Sequence, residues 1–168
     1  MSFFGSVTDA YNPFEKKYEK TRGILKQFID TDAEIIIATK SKLVARDLDI
    51  LKRIKRVTVA FSINTMDETF RRDMDRASTI QERVETMELL HSNGIYTVTF
   101  ISPIFPEITD AIKIIDKTKD ICDVFWLENL NLSGGYKNLI MKYIEEKYPE
   151  YREIYNGIYN KKNMTYWS

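Results

Sequence analysis

Cysteine and histidine each occur once in the 168 residues, at Cys122 and His91. One thiol cannot form an internal disulfide, and one thiol with one imidazole cannot build a Cys/His zinc site from this chain. His91 falls in MELLHSNG at the end of an expected helix, where a structural place outweighs a Ser-His-Asp role. Glycine is scarce as well. Gly5, Gly23 and Gly94 stand alone and Gly134-Gly135 follow the last strand-like run, so no Gly-rich phosphate loop is present. Neither charge sign is in excess, with 25 Lys+Arg against 25 Asp+Glu. That balance argues against a broadly basic nucleic-acid surface and leaves room only for a local groove. No apolar run approaches the ~18 residues that cross a bilayer, and MSFFGSVTDAYNP has neither a basic nor a long apolar leader region. A cytoplasmic protein without membrane contact is expected.

The apolar content, 43% hydrophobic and 12% aromatic, suffices for one buried core. We expect a single domain over 1–168, with its core at about 3–151 and a tail over 152–168. Short β-branched and aromatic runs recur at Phe3–Thr8, Glu34–Thr39, Arg56–Ile63, Tyr96–Ile101 and Asp123–Glu128. Amphipathic segments separate them, the pattern of repeated βα units around a parallel sheet. The near-continuous apolar character of IIIAT, VTVAFSI and VFWL suits strands covered on both faces. Helix punctuation falls between the runs: Pro13 before EKKYEKTRGILKQFI, Ser41 before LVARDLDILKRI, Ser78 or Thr79 with Gln81 or Glu82 as capping-box partner, Gly94 as a stop, and Thr109 or Asp110 before AIKII. Tyr136–Tyr148 reads as a further helix that Pro149 interrupts, followed by a shorter one in YREIYNGIYN. Five such units are too few for a closed eight-stranded barrel. They fit a small doubly wound sheet or an incomplete barrel.

In parallel βα folds ligands bind at the C-terminal ends of the strands, and these ends are polar here. They carry Ser6, Thr8 and Asp9; Thr39, Lys40 and Ser41; Ser62, Asn64 and Thr65; Ser102 and Pro103; and Glu128, Asn129 and Asn131. Lys40 closes an apolar strand and could pair there with a carboxylate or phosphate, although a surface lysine at a helix start would look the same. Ser62 could face inward or be a satisfied core serine. Asp9 and Glu15 could equally be helix N-terminal charges.

Taken in chain order, TDAYNPFEKKYEKTRGIL, IATKSKLVARDLDIL, VTVAFSINTMDETFRRDMDRAS, ERVETMELLHSNGIYTVTFISPIFPEITD and VFWLENLNL with YIEEKYPEY resemble the radical SAM enzymes of the spore photoproduct lyase and DNA-repair-photolyase-like group. The resemblance runs from Phe4 to about Tyr151. It implies an α/β fold, a partial TIM-type (β/α) barrel of about five parallel strands in an open arc with helices on one side. It also implies S-adenosylmethionine and a [4Fe-4S] cluster as cofactors of the parent enzyme. The family's cluster loop, CxxxCxxC, is missing, and three thiolates are needed where this sequence has one. The expectation is therefore the C-terminal portion of such a barrel, retaining no cluster and inactive alone, with the missing N-terminal βα unit as its partner.

By the same resemblance Thr8 and Asp9 would approach the methionyl end of S-adenosylmethionine, and Lys40 its carboxylate. Ser62 or Asn64 would meet the ribose or carboxylate, and Arg76 the same anion. Glu128 and Asn129 would close the substrate cavity. Nucleic acid is the substrate class that the resemblance suggests, and the exposed edge of the first strand invites pairing with a second copy. The competing expectation is a catalytically silent βα binding module.

Overall fold

The computed structural model describes residues 2–5 and 8–167; Ser6, among the expected strand-end residues, lies outside them. The sheet has five strands among these residues: β1 (Ser2–Phe4), β2 (Glu34–Thr39), β3 (Arg56–Ser62), β4 (Tyr96–Ile104) and β5 (Val124–Asn129). All neighbours pair in parallel and the order is β1-β2-β3-β4-β5. Sequential order without reversal gives an open arc of barrel type and removes the doubly wound alternative, whose strand order must switch.

Alternation along each strand divides the sheet into two faces. Ile35 and Ile37 of β2, Val59 and Phe61 of β3, and Ile101 of β4 point outward into the main core. There they meet Val44, Ile50 and Leu51 and, from the long helix α5 (Ile80–Ser92), Val84, Met87 and Leu90. Phe4 of β1 lies on this side, edge-to-face with Phe28 at 6.2 Å. Residues of the opposite parity, Phe3, Ala38, Ser62, Phe100 and Glu128, form the inner face.

The helix signals act as local chemistry dictates. Thr79 and Glu82 form the reciprocal capping box of α5, and Gly94 at φ 80° follows its end. Asp110 accepts from the Lys113 N–H at the start of α6 (Ala111–Thr118), and Ser41 from the Leu43 N–H, although LVARD there winds as a 3-10 helix before α3 (Leu48–Leu51). Three expectations need correction. The run after Pro13 is broken by Glu19 at φ 47° into α1 (Glu15–Tyr18) and α2 (Lys20–Leu25), because the Glu15 carboxylate takes the N–H groups of Thr21 and Arg22. Helix α4 (Glu68–Met74) was not foreseen; Asp67, which accepts from the Thr69 N–H, was its one legible signal. The segment from 152, set apart as a tail, is core in its first part: the helix expected in YREIYNGIYN is α8 (Arg152–Tyr159), which buries Tyr155 and Ile158, and residues 160–163 after it are exposed. Tyr155 joins Phe70 of α4, Phe105, Leu130 and Ile144 of α7 (Lys137–Lys147) in a second cluster beyond the C-terminal ends of β4 and β5.

β1 ends earlier than its sequence suggests because Gly5 turns the chain at φ 98°. A Cβ there would stand 2.1 Å from the Ala38 carbonyl oxygen of β2. Gly5→Ala is expected to cost about 3 kcal/mol, combining the left-handed penalty with overpacking against backbone, read as a lowered denaturant midpoint; an unchanged midpoint would contradict this geometry. No helix among the described residues is long and apolar enough to cross a membrane.

Candidate functional site

The strand ends converge on a cavity of about 500 Å³ on the inner face, within the usual size range of small-molecule sites. Asp9, Lys40, Ser62 and Glu128 line it, and so do Ser102 and Phe100, whose parity places them inward from β4. Phe3 and Phe100 supply aromatic surface, and Phe100 meets Trp126 edge-to-face at 6.0 Å.

Asp9 is committed to the scaffold. One carboxylate oxygen accepts from the Tyr11 N–H and the Thr39 hydroxyl, both at 2.8 Å, and the other from the Lys40 N–H at 2.8 Å. It staples the first loop to the end of β2 and does not pair with the Lys40 ammonium. That ammonium lies 3.5 Å from Asp75 instead. Asp75 is held by the buried Arg83 at 2.7 Å. Arg83 also donates to the carbonyls of Ser62 (3.0 Å) and Ser78 (2.9 Å), and so joins the end of β3 to the start of α5. Lys40 remains one-third exposed.

The Ser62 and Ser102 hydroxyls both serve as donors. Ser62 donates to the Ser102 carbonyl at 2.9 Å, and the Ser102 hydroxyl donates to the Glu128 carboxylate. With its proton committed, Ser62 offers the cavity a lone pair, an acceptor rather than a donor.

The other candidates lie elsewhere. Thr8 is exposed and lines an adjoining hollow beside α1, which shares Phe3, Gly5 and Asp9 with the cavity but does not bring Thr8 into it. Asn64 is buried just past β3, its carbonyl accepting from Thr109, outside the cavity lining. Asn129 is exposed and does not line the cavity, and Arg76 lines a neighbouring groove that also holds Lys40. Convergence thus holds for Asp9, Lys40 and Ser62 but not for Thr8. Sequence reasoning missed Asp75 and Arg83 as supports of Lys40. Ser102 and Phe100 were accessible from strand parity.

No group of three or more His, Cys, Asp or Glu among the described residues is arranged to hold a metal. Cys122 is buried in the main core just before β5, at the opposite end of the strands. His91 touches Thr97 Oγ1 at 3.2 Å and Asp123 at 3.5 Å, a structural place as expected.

The family described as the Radical SAM superfamily matches residues 1–118. The uncharacterised protein MJ0683 of Methanocaldococcus jannaschii is 39% identical over 153 residues, covering 90% of this chain and 58% of that protein. Rv2578c of Mycobacterium tuberculosis, also uncharacterised, is 25% identical over 164 residues, 90% of this chain and 48% of that protein. A protein of Pseudomonas phage M6 named radical SAM Nalpha-GlyT isomerase is 25% identical over 147 residues, 87% of this chain and 28% of its own. None of these three names refers to a photoproduct lyase or to DNA repair. The chain spans about half the length of the first two relatives. A parallel (β/α) arc with a polar cavity at its strand ends, joined to a family match over most of its length, assigns this chain to the radical SAM superfamily.

Proposed function

We propose that this chain forms the S-adenosylmethionine-binding wall of a radical SAM enzyme whose cluster thiolates come from outside these residues. The family uses a [4Fe-4S] cluster, and this chain does not fit one: its single thiol is buried in the core at the wrong end of the sheet. S-adenosylmethionine fits better. The observation that carries the reading is the one-third exposed Lys40 side chain in one cavity with an acceptor hydroxyl, Ser62, and the aromatic faces of Phe3 and Phe100. Lys40 suits the methionyl carboxylate, Ser62 a ribose hydroxyl, and Phe100 or Phe3 the adenine. Glu128, three strands away on β5, is too distant at the backbone, roughly 14 Å at the usual strand spacing, to share the methionyl group with Lys40. It bounds the substrate side, where its carboxylate accepts hydrogen bonds. When bound in such enzymes, S-adenosylmethionine supplies a deoxyadenosyl radical that takes a hydrogen atom from the substrate.

The free edge of β1, where Phe3, Phe14 and Tyr18 are exposed around a second hollow, suits pairing with a cluster-bearing βα unit. Photoproduct-lyase-like repair of nucleic acid is the finer reading. It rests on the order of the five segments alone, and the stretch Ser6-Val7-Thr8 carries no thiol to serve as hydrogen donor.

Titration of the chain with S-adenosylmethionine tests the proposal. Lys40→Met, which keeps the apolar stem, is expected to weaken binding about tenfold, the loss of one charge-assisted contact. Ser62→Ala should weaken it less. Equal affinity of Lys40→Met and wild type would overturn the assignment, and no binding by the wild type would favour the silent binding module.

A further inference from the structure

Beside the strand-end cavity runs a second groove of about 650 Å³, and the two share Asp9 and Lys40. Four cations line it, Lys16 of α1, Lys40, Lys42 and Arg76, against two carboxylates, Asp9 and Asp75. Both carboxylates are already engaged: Asp9 by two backbone N–H groups and the Thr39 hydroxyl, Asp75 by the buried Arg83. Lys42 is neutralised by Glu82. Lys16 and Arg76 have no carboxylate within ion-pair distance among the described residues, and Lys40 has only the long contact to Asp75. In a chain whose charges balance overall, positive charge is thus left over at the groove that adjoins the cavity across Asp9 and Lys40. The walls are tied in place, since the Lys42 N–H donates to Ser78 Oγ at 2.8 Å, linking the loop after β2 to the loop before α5.

We infer that this groove binds a phosphate group of the substrate, held by Arg76 and Lys16, while the reacting part of the molecule reaches past Lys40 into the cavity. Guanidinium and ammonium groups recognise phosphate oxygens by charge-assisted hydrogen bonds, and a groove that concentrates positive potential favours an anion over the balanced surface around it. The phosphate belongs either to a mononucleotide-like small molecule or to a polynucleotide backbone. The inference deepens the reading proposed above and rests on it for the identity of the cavity.

The test uses this chain with two fluorescent probes, a short single-stranded oligodeoxynucleotide and a nucleoside monophosphate, titrated at several salt concentrations without S-adenosylmethionine. The double variant Lys16→Gln/Arg76→Gln is expected to bind the recognised probe at least tenfold more weakly. For the oligonucleotide, its dependence of log affinity on log salt should be shallower by roughly 0.7 per cation removed. Lys55→Gln, at the far end of β3, serves as control. Preference for the oligonucleotide identifies a backbone track, and comparable binding of the monophosphate a single-phosphate subsite; either supports the inference when the double variant alone loses affinity. Binding of neither probe, an unchanged double variant, or an equal loss in Lys55→Gln overturns it. Titration of the wild type with S-adenosylmethionine is a separate measurement, so each reading can fail on its own.

Discussion

Replacing Arg83 by Met is expected to lower the stability of the chain by about 3–5 kcal/mol, the usual cost of breaking a buried, hydrogen-bonded ion pair from one side. The side chain is 1% exposed and is the largest of those fully buried. Methionine would fill much of its volume but leave the Ser62 and Ser78 carbonyls without their donors and Asp75 without its closest cation. For a chain of this length such a loss corresponds to a fall of roughly 10 °C in unfolding temperature. Arg83→Lys should lie between, because an ammonium restores the charge but cannot span three acceptors in fixed directions. Urea denaturation distinguishes the cases, and an Arg83→Met midpoint within experimental error of the wild type would show that the network is ornamental. The effect reaches the site because Asp75 is the ion-pair partner of Lys40.

Asp47→Ala is expected to be of similar size, about 3–4 kcal/mol. Its fully buried carboxylate accepts from the Tyr11 hydroxyl at 3.0 Å, from Arg22 at 2.8 Å and from Arg46 at 2.8 and 3.1 Å, and so knits the first loop, α2 and the turn before α3. Burial alone would push the Asp47 carboxyl upward, but the hydrogen bonds from Arg46, Arg22 and Tyr11 outweigh it and hold it below its ordinary value of 3.8. Glu15 is likewise held below 4.5, its burial outweighed by the Thr21 N–H, Arg46 and the Arg22 N–H. Since both are depressed in the folded state, the unfolded chain takes up protons first as pH falls. Their contribution is fully present above about pH 5 and is lost on acidification through the folded values, below about pH 4. Unfolding midpoints should therefore be level between pH 5 and 7 and drop below 4, with a shallower drop in Asp47→Ala. A wild type as stable at pH 3 as at pH 6 would contradict the network.

How much was readable follows from how far each signal reaches along the chain. The capping box of Thr79 and Glu82, the stop at Gly94 and the apolar run of β2 act within a few residues, and each appears where the sequence put it. The break at Glu19 was not readable, because it depends on how the Glu15 carboxylate closes onto N–H groups six and seven residues on rather than on apolar spacing. Thr8 and Asp9 are neighbours in sequence and share the hollow beside α1, yet Asp9 alone also lines the strand-end cavity, because its carboxylate is drawn to the Lys40 N–H and the Thr39 hydroxyl at the end of another strand.

By itself the sequence determined the class of fold and the polar character of the strand ends, and its single cysteine falls short of the three thiolates that the family's cluster takes. Those conclusions need only composition, alternation and caps, which are local. Tertiary structure alone decided which polar residues act together: it gave Asp9 to the backbone of Lys40, Asp75 to its ammonium, and Ser102 to Glu128. These partners lie between 26 and 35 positions apart. They are chosen by the register of parallel strands and the packing of α5 against them, because a buried polar group must find a partner wherever folding brings one within hydrogen-bond reach.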